Sequence, residues 1–445
     1  MPIATRRRLI KNCDPQRPLP PGDPMYVELD AAPPTRGDRS WVELLRETIL
    51  LSEDSCQLFS GFQGTGKTTE LLRLKGELER DEEEPSHVVF INFTDYVDTF
   101  SPINVVDVVR VLAYCLDRAA TVAEGKDPEV EPGYLRRLFD FISRHDVELQ
   151  KIGFAAYGSS MMLEVRNNPK FRERLEEAVL GRFQAFVEEA REFMERAVAR
   201  ILNAERIAAR KVERLVVIAD GLEKVAPLRE EDRALMEGSI EALFINHADL
   251  LKLRSCHVIY TFPLWLRFHA AHLGAVYGRE PLVLPMVKIA DPEGADYEPG
   301  LERLRTMVAR RVEDLGAVFG DDPEATLGAL IRASGGYPRD LLRMVRTLLL
   351  EARSLPVVRA DVDRVIADLA RTYEDTILGE YVGLLARVHQ THELPRDNAA
   401  ERALAGYLFQ RWLILAYRNG AEWYELHPLV LRSPRVQRRL AEPAT

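Results

Sequence analysis

Cysteine is scarce in this 445-residue chain: Cys13, Cys56, Cys115 and Cys256 stand far apart and form no CxxC pair. That spacing argues against a disulfide framework or a zinc site and fits a reducing, cytoplasmic setting. Long hydrophobic runs are missing too. No window reaches the roughly 18 uninterrupted apolar residues of a membrane span, so no membrane partner is expected. Met1 to Asn12 carries Arg6-Arg7-Arg8 and Lys11 with no apolar core after them. It reads as a solvated basic arm, not a secretory signal. Nor is there an excess of positive charge. Sixty Lys and Arg face 70 Asp and Glu, a net charge of −10. This speaks against a surface coated with nucleic acid, though a local basic patch is compatible with it. No repeat of fixed period is found.

What is present is the balance of an ordinary globular protein, 46% hydrophobic and 29% charged, which excludes a mostly disordered chain. The length allows about two to four domains of roughly 100–200 residues. Residues 1–39 are rich in proline and charge and read as an extended arm that packs on something. Residues 40–290 alternate helical stretches with short apolar strands at Cys56–Phe59, His87–Phe93, Leu215–Ala219, His257–Thr261 and Pro281–Leu284. Such strands divided by helices indicate an α/β fold with a parallel sheet covered on both faces. A long helical insertion spans about 104–210. Within it, Asn168–Arg210 is dense in Glu and Arg, as a solvated helix face or a partner surface would be. Residues 291–377 read as a small helical domain. Residues 378–445 read as a helix pair followed by a hairpin around Asn419-Gly420, the outline of a winged helix.

The chemistry concentrates at Gly61-Phe62-Gln63-Gly64-Thr65-Gly66-Lys67-Thr68, which fits G-x-x-x-x-G-K-[ST] at every fixed position. A strand precedes it and a helix follows. Glycines let the backbone turn its N–H groups toward phosphate oxygens, and the helix N-terminus adds partial positive charge. Gly61, Gly64, Thr65, Gly66, Lys67, Thr68 and Thr69 are the expected nucleotide contacts. Lys67 would reach the β- and γ-phosphates, and Thr68 would ligate Mg²⁺. Leu215-Val-Val-Ile-Ala-Asp220 supplies a strand-end acid, so Asp220 would hold the Mg²⁺ through water; a turn-capping Asp before Gly221 is the plainer alternative. Many ATPases place Glu directly after this Asp. Here Gly221 stands there, and Glu223 is the candidate base; its alternative role is a helix-start acid. Thr261, at a strand end before Phe262-Pro263, can sense the γ-phosphate or the attacking water, or simply bond its own strand. In the helical domain Gly335-Gly336-Tyr337-Pro338-Arg339 makes a tight turn into a helix. A cation near a helix start is electrostatically poor unless an anion is close, so Arg339 would reach a γ-phosphate or pair with a carboxylate.

These residues resemble the AAA+/STAND class of ATPases. The order of parts is similar to the origin-recognition type: ATPase core, helical lid, C-terminal winged helix. Gly61–Leu72 (GFQGTGKTTELL) is particularly similar to bacterial members carrying Gly-Lys-Ser/Thr-Thr-Glu-Leu. The resemblance implies a parallel sheet of order 5-1-4-3-2. It implies P-loop, metal and sensor roles for Lys67, Thr68, Asp220, Thr261 and Arg339, with ATP and Mg²⁺ as ligands. It implies nucleotide-dependent assembly, and a trans-acting arginine before the last core strand, for which Arg279 is the nearest match and Arg254 a weaker one. Such proteins are often switches in bacterial antiphage or conflict systems, or loaders acting on DNA.

Three functions stay open on the sequence. One is an ATP-driven, ATP-hydrolysing switch that signals to an effector protein or a second copy of itself. Another is a DNA-acting ATPase using its winged helix. The third is a nucleotide-binding scaffold with little turnover. Leu431–Leu440 carries Arg432, Arg435, Arg438 and Arg439 with no acid, a strip favourable for phosphate contact. The hairpin carries Glu422 and Glu425 and only Arg418 as a base, which suits packing against protein. Trp412, Trp423 and Tyr424 read as core of that domain, and His427 as structural. No guanine-reading Asn-Lys-x-Asp and no effector motif is found.

Overall fold

A computed structural model describes residues 1–128, 166–168, 170, 172–173, 177, 179, 181, 183–208, 211–227, 229–270 and 272–442. The chain forms two compact units, one of residues 45–60 and 74–282, the other of residues 1–44, 61–73 and 283–445.

Five strands build the main sheet: β1 (Ser55–Gly61), β2 (Ser86–Asn92), β3 (Arg214–Asp220), β4 (His257–Thr261) and β5 (Leu282–Leu284). Their order is β2-β3-β4-β1-β5, the 5-1-4-3-2 order that the resemblance implied. The ladders β2–β3, β3–β4 and β1–β4 are parallel. β3 shows why the chain folds so. Leu215, Val216, Val217, Ile218 and Ala219 are fully buried, which only a sheet covered on both faces allows. Each buried Leu, Val or Ile contributes roughly 1.5–3 kcal/mol. The register pairs Asn92 with Asp220, so the polar ends of β2 and β3 lie side by side. Ligands of open α/β sheets bind beyond such carboxyl ends.

The insertion begins with the helix Val105–Ala123. Asn104 caps it, accepting from the Asp107 N–H, and Asp107 reciprocates. Along the helix Phe183–Ile207, Phe186, Ala190, Phe193, Met194, Ala197, Val198 and Ile201 form one buried stripe. Its Arg200 pairs with Asp117 at 2.8 Å and Glu124 at 2.7 Å of the first helix. The Arg200 hydrogen bond holds the Glu124 carboxyl down at about 2. The rest of the expected helix over 168–210 falls mostly outside the described residues.

In the other unit the helices Glu298–Val312, Pro323–Ser334, Pro338–Glu351 and Arg359–Glu374 follow one another. A short helix, Leu315–Phe319, lies between the first two; Asp314 caps it by accepting from the Ala317 N–H. The helices Val382–Thr391 and Ala399–Gln410 precede the antiparallel hairpin β6 (Ile414–Asn419) and β7 (Ala421–Leu426), which turns at Gly420 with φ +72°. The helix Pro434–Leu440 follows, capped by Ser433.

The arm departs from its expected extended form. Ile3–Asn12 is a helix, anchored by buried Leu9. Arg6 donates to the Leu349 carbonyl at 2.5 Å and the Ala352 carbonyl at 2.6 Å. Carbonyls at a helix end lack intrahelical donors, and this arginine supplies them for Pro338–Glu351. Arg6 of the basic run therefore caps a neighbouring helix, while Arg7 and Arg8 are exposed. From Asp14 onward the arm is irregular, as its prolines require.

Candidate functional site

The glycine loop is built as its sequence demands. Gly61 has φ +149°, and a Cβ there would stand 2.7 Å from the Leu284 carbonyl oxygen. Gly64 and Gly66 have φ +84° and +99°, a region that side chains disfavour. The Thr65 hydroxyl donates to the Phe62 carbonyl at 2.8 Å and steadies the turn. The helix Lys67–Glu79 starts at once, so its unpaired N–H groups face the loop. Lys67 is 4% exposed, and its ammonium donates to the Gly61 and Phe62 carbonyls at 2.9 and 3.0 Å. Thr68 is half-buried at the helix start. The Thr69 hydroxyl oxygen accepts the Leu19 N–H at 3.2 Å, which ties this expected contact to the arm.

The Gly-Gly-Tyr-Pro-Arg turn lies directly on that loop. The Tyr337 hydroxyl donates to the Gln63 carbonyl. Arg339 lies against Gly64, where a Cβ would come within 2.7 Å of Arg339 Cβ and would also crowd its Nε. Both glycines of the turn are needed. A Cβ on Gly336 would overlap the Val287 carbonyl oxygen, and one on Gly335 would stand 2.7 Å from Pro428. The Tyr417 hydroxyl donates to the Gly335 carbonyl at 2.5 Å and holds the turn from β6. Phe62 packs on Phe409, ring centroids 5.2 Å apart, and Arg339 stands 6.0 Å from the Trp412 ring. Sequence reasoning missed Tyr337, Phe62 and Phe409; nothing in their spacing marks them.

The unit of residues 45–60 and 74–282 gathers the expected acids. Asp220 closes β3 and is 1% exposed. Gly221 has φ +101°, and a Cβ there would press on Asn92 Oδ1 at 3.1 Å. This geometry explains why no glutamate follows Asp220 directly. A short 3-10 turn, Leu222–Lys224, delivers Glu223 instead. Glu223 is 8% exposed, and its Oε2 accepts from the Thr261 hydroxyl at 2.5 Å and the Gly221 N–H at 3.1 Å. The Thr261 oxygen in turn accepts the Gly221 N–H at 2.8 Å. Glu223 and Thr261 thus form one buried, hydrogen-bonded group.

Other candidates are less engaged. Arg279 is half-buried before β5, and Arg254 is exposed, 3.8 Å from Glu195. Among the described residues no group of three or more His, Cys, Asp or Glu side chains is placed to hold a metal. Of the basic strip, Arg435 donates to the Ile377 carbonyl at 2.8 Å and pairs with Glu374 at 3.3 Å, and Arg439 pairs with Glu442 at 2.9 Å. At the hairpin tip the Gly420 N–H donates to Asp38 at 3.0 Å, and Arg418 lies 5.6 Å from the Trp41 ring. Trp423 stacks on Tyr417 at 4.5 Å, and His427, fully buried, stacks on Tyr373 at 4.3 Å. Among the described residues no helix is long and apolar enough to cross a membrane.

A parallel sheet of this order, with a glycine loop leaving β1 into a helix, is the α/β fold of a P-loop NTPase. No protein-family model and no curated protein matches the chain. Among solved structures, the Walker-type ATPase of Pyrococcus abyssi is 14% identical with TM-score 0.37, covering 90% of this chain and 98% of that one. Cdc6p from Pyrobaculum aerophilum is 12% identical with TM-score 0.34, covering 90% and 92%. The ORC2 protein of Aeropyrum pernix, in ADPNP–ADP complexes, is 10% identical with TM-score 0.36, covering 90% and 93%.

Proposed function

We propose that the chain is an ATP-binding and ATP-hydrolysing switch of the AAA+/STAND type. The observation that carries this is Arg339, brought from the helical domain onto Gly64 of the phosphate loop. A cation there meets the γ-phosphate of ATP and loses that partner with ADP, so the helical domain senses which nucleotide is bound. The loop itself fits a polyphosphate: two left-handed glycines, a buried lysine and a helix N-terminus converge.

The expected chemistry divides among residues already described. Lys67 neutralises the β- and γ-phosphates. Thr68 and Asp220 are hard oxygen donors of the kind Mg²⁺ takes, and that ion would supply charge neutralisation to the phosphates. Glu223 accepts a proton from water as the water oxygen attacks the γ-phosphorus and the bond to the β–γ bridging oxygen breaks. Thr261 holds the Glu223 carboxylate in one orientation. The trans-acting role is assigned to Arg279.

The hairpin domain is read as a winged helix that signals to protein, with an effector chain or a second copy as partner. Its tip and two of its basic-strip arginines are engaged by groups of the same chain, which favours this over the DNA-loading alternative. The setting of a bacterial antiphage or conflict system comes with the resemblance. Glu223→Gln tests the enzyme assignment. ATP binding is expected to persist while phosphate release stops; unchanged turnover would remove Glu223 from the role of base.

A further inference from the structure

A buried cation stands behind the phosphate loop that the motif does not account for. Arg36 belongs to the N-terminal arm and is 1% exposed. Its Nη2–H donates to the Thr65 carbonyl oxygen at 2.8 Å, between the two left-handed glycines Gly64 and Gly66. Its Nη1 lies 3.8 Å from Glu70 Oε1. Arg36 is itself fixed. The Trp41 indole N–H donates to its carbonyl at 2.6 Å, and the neighbouring Thr35 carbonyl takes the Lys288 N–H at 2.9 Å. The rest of the arm follows the same helix. The Tyr26 hydroxyl donates to Glu70 Oε2 at 3.2 Å, and Arg73 pairs with Glu28 at 2.7 Å.

We infer that Arg36 is a positioning residue of the phosphate loop, and that the arm is thereby coupled to nucleotide binding. In a trans peptide the C=O and the following N–H point in opposite directions. Drawing the Thr65 oxygen toward Arg36 therefore turns the Gly66 N–H the other way, to the side where a phosphate is bound. A carbonyl left to rotate at this peptide would instead present a negative end to the phosphate. The guanidinium, with the Glu70 carboxyl beside it, also adds positive potential in a poorly solvated site. Coupling between two sites is reciprocal, so nucleotide binding must stabilise the arm by as much as the arm stabilises the bound nucleotide.

The inference rests on the nucleotide reading above, and the test separates the two. The full chain is titrated with Mg²⁺ and a non-hydrolysable ATP analogue as wild type, Arg36→Gln, Arg36→Lys and Lys67→Ala, and amide exchange is followed across residues 19–41. Losing one charge-assisted hydrogen bond predicts about 10- to 100-fold weaker binding for Arg36→Gln. Arg36→Lys, which keeps the charge, recovers part of it. In the wild type the analogue slows exchange of the arm. Unchanged affinity in both Arg36 variants overturns the inference, as does an arm whose exchange ignores nucleotide in the wild type. That second readout needs no variant to fold. If Lys67→Ala binds as well as wild type, it is the nucleotide reading that fails.

Discussion

Arg339 fills the space that a side chain on Gly64 would need: a Cβ built there would stand 2.7 Å from Arg339 Cβ and 2.9 Å from its Cδ. Gly64→Ala must therefore displace the arginine or the loop, and it also forces a side chain to φ +84°. The expected cost is about 1–3 kcal/mol, read as a lowered melting temperature together with weakened ATP binding. Arg339→Ala acts differently. It spares the glycine loop and removes the proposed contact to the γ-phosphate, so ATP-analogue affinity is expected to fall about 10-fold or more while ADP affinity holds. Equal losses for both nucleotides would contradict a sensing role.

Thr261→Val deletes the hydroxyl that donates to Glu223 at 2.5 Å and leaves a buried carboxylate short of a partner. Such a loss costs about 1–3 kcal/mol of stability. The same variant should lower kcat with little change in ATP affinity, because the proposed base loses its fixed orientation. Melting curves and steady-state phosphate release check the two halves separately.

Burial pushes the Glu70 carboxyl up from its ordinary 4.5 to about 7. A folded state that keeps a proton the unfolded chain releases is stabilised in full below about 4.5, and the contribution is lost as pH rises through about 7. Glu70→Gln cannot titrate. Relative to wild type it should gain stability on going from pH 5 to pH 8, seen in paired melts. His257 works the other way. Burial and the neighbouring Arg214 lower it from 6.5 to about 4, so its contribution is present above 6.5 and fades as pH falls toward 4. The difference between Glu70→Gln and wild type cancels this second term.

The hairpin tip is held by Asp38 and Trp41, and Arg435 and Arg439 of the basic strip are ion-paired. ATPase turnover should therefore be unchanged by duplex DNA at both low and moderate salt. Stimulation by DNA that weakens steeply with salt is the signature of phosphate contacts, and it would favour the DNA-acting reading.

Much of this fold is legible in the sequence because its signals are local. The apolar runs of β2, β3 and β4 announce a sheet buried on both faces. Gly61–Thr68 announces a phosphate loop, and Asn419-Gly420 announces a hairpin. The helix at Ile3–Asn12 is not legible, because its stability comes from Leu9 and from Arg6 bonding carbonyls some 340 residues away. Arg36 is hidden for the same reason. Nothing in Thr-Arg-Gly-Asp distinguishes an exposed arginine from one that reaches Thr65. Glu223 is legible only past Gly221, beyond the usual place of the acid; the left-handed backbone at Gly221 explains the displacement. Local pattern reports what a segment can become, and long-range contacts decide which polar groups are drawn inward.

Every role proposed above requires that the loop around Lys67 bind ATP. Calorimetric titration of wild type and Lys67→Ala with Mg²⁺–ATP analogue tests it most directly. Saturable binding is expected of the wild type and a loss of at least about 10-fold in the variant, which lacks the ammonium that meets the phosphates. Tight binding that survives the substitution, or no binding by a folded wild type, would contradict it.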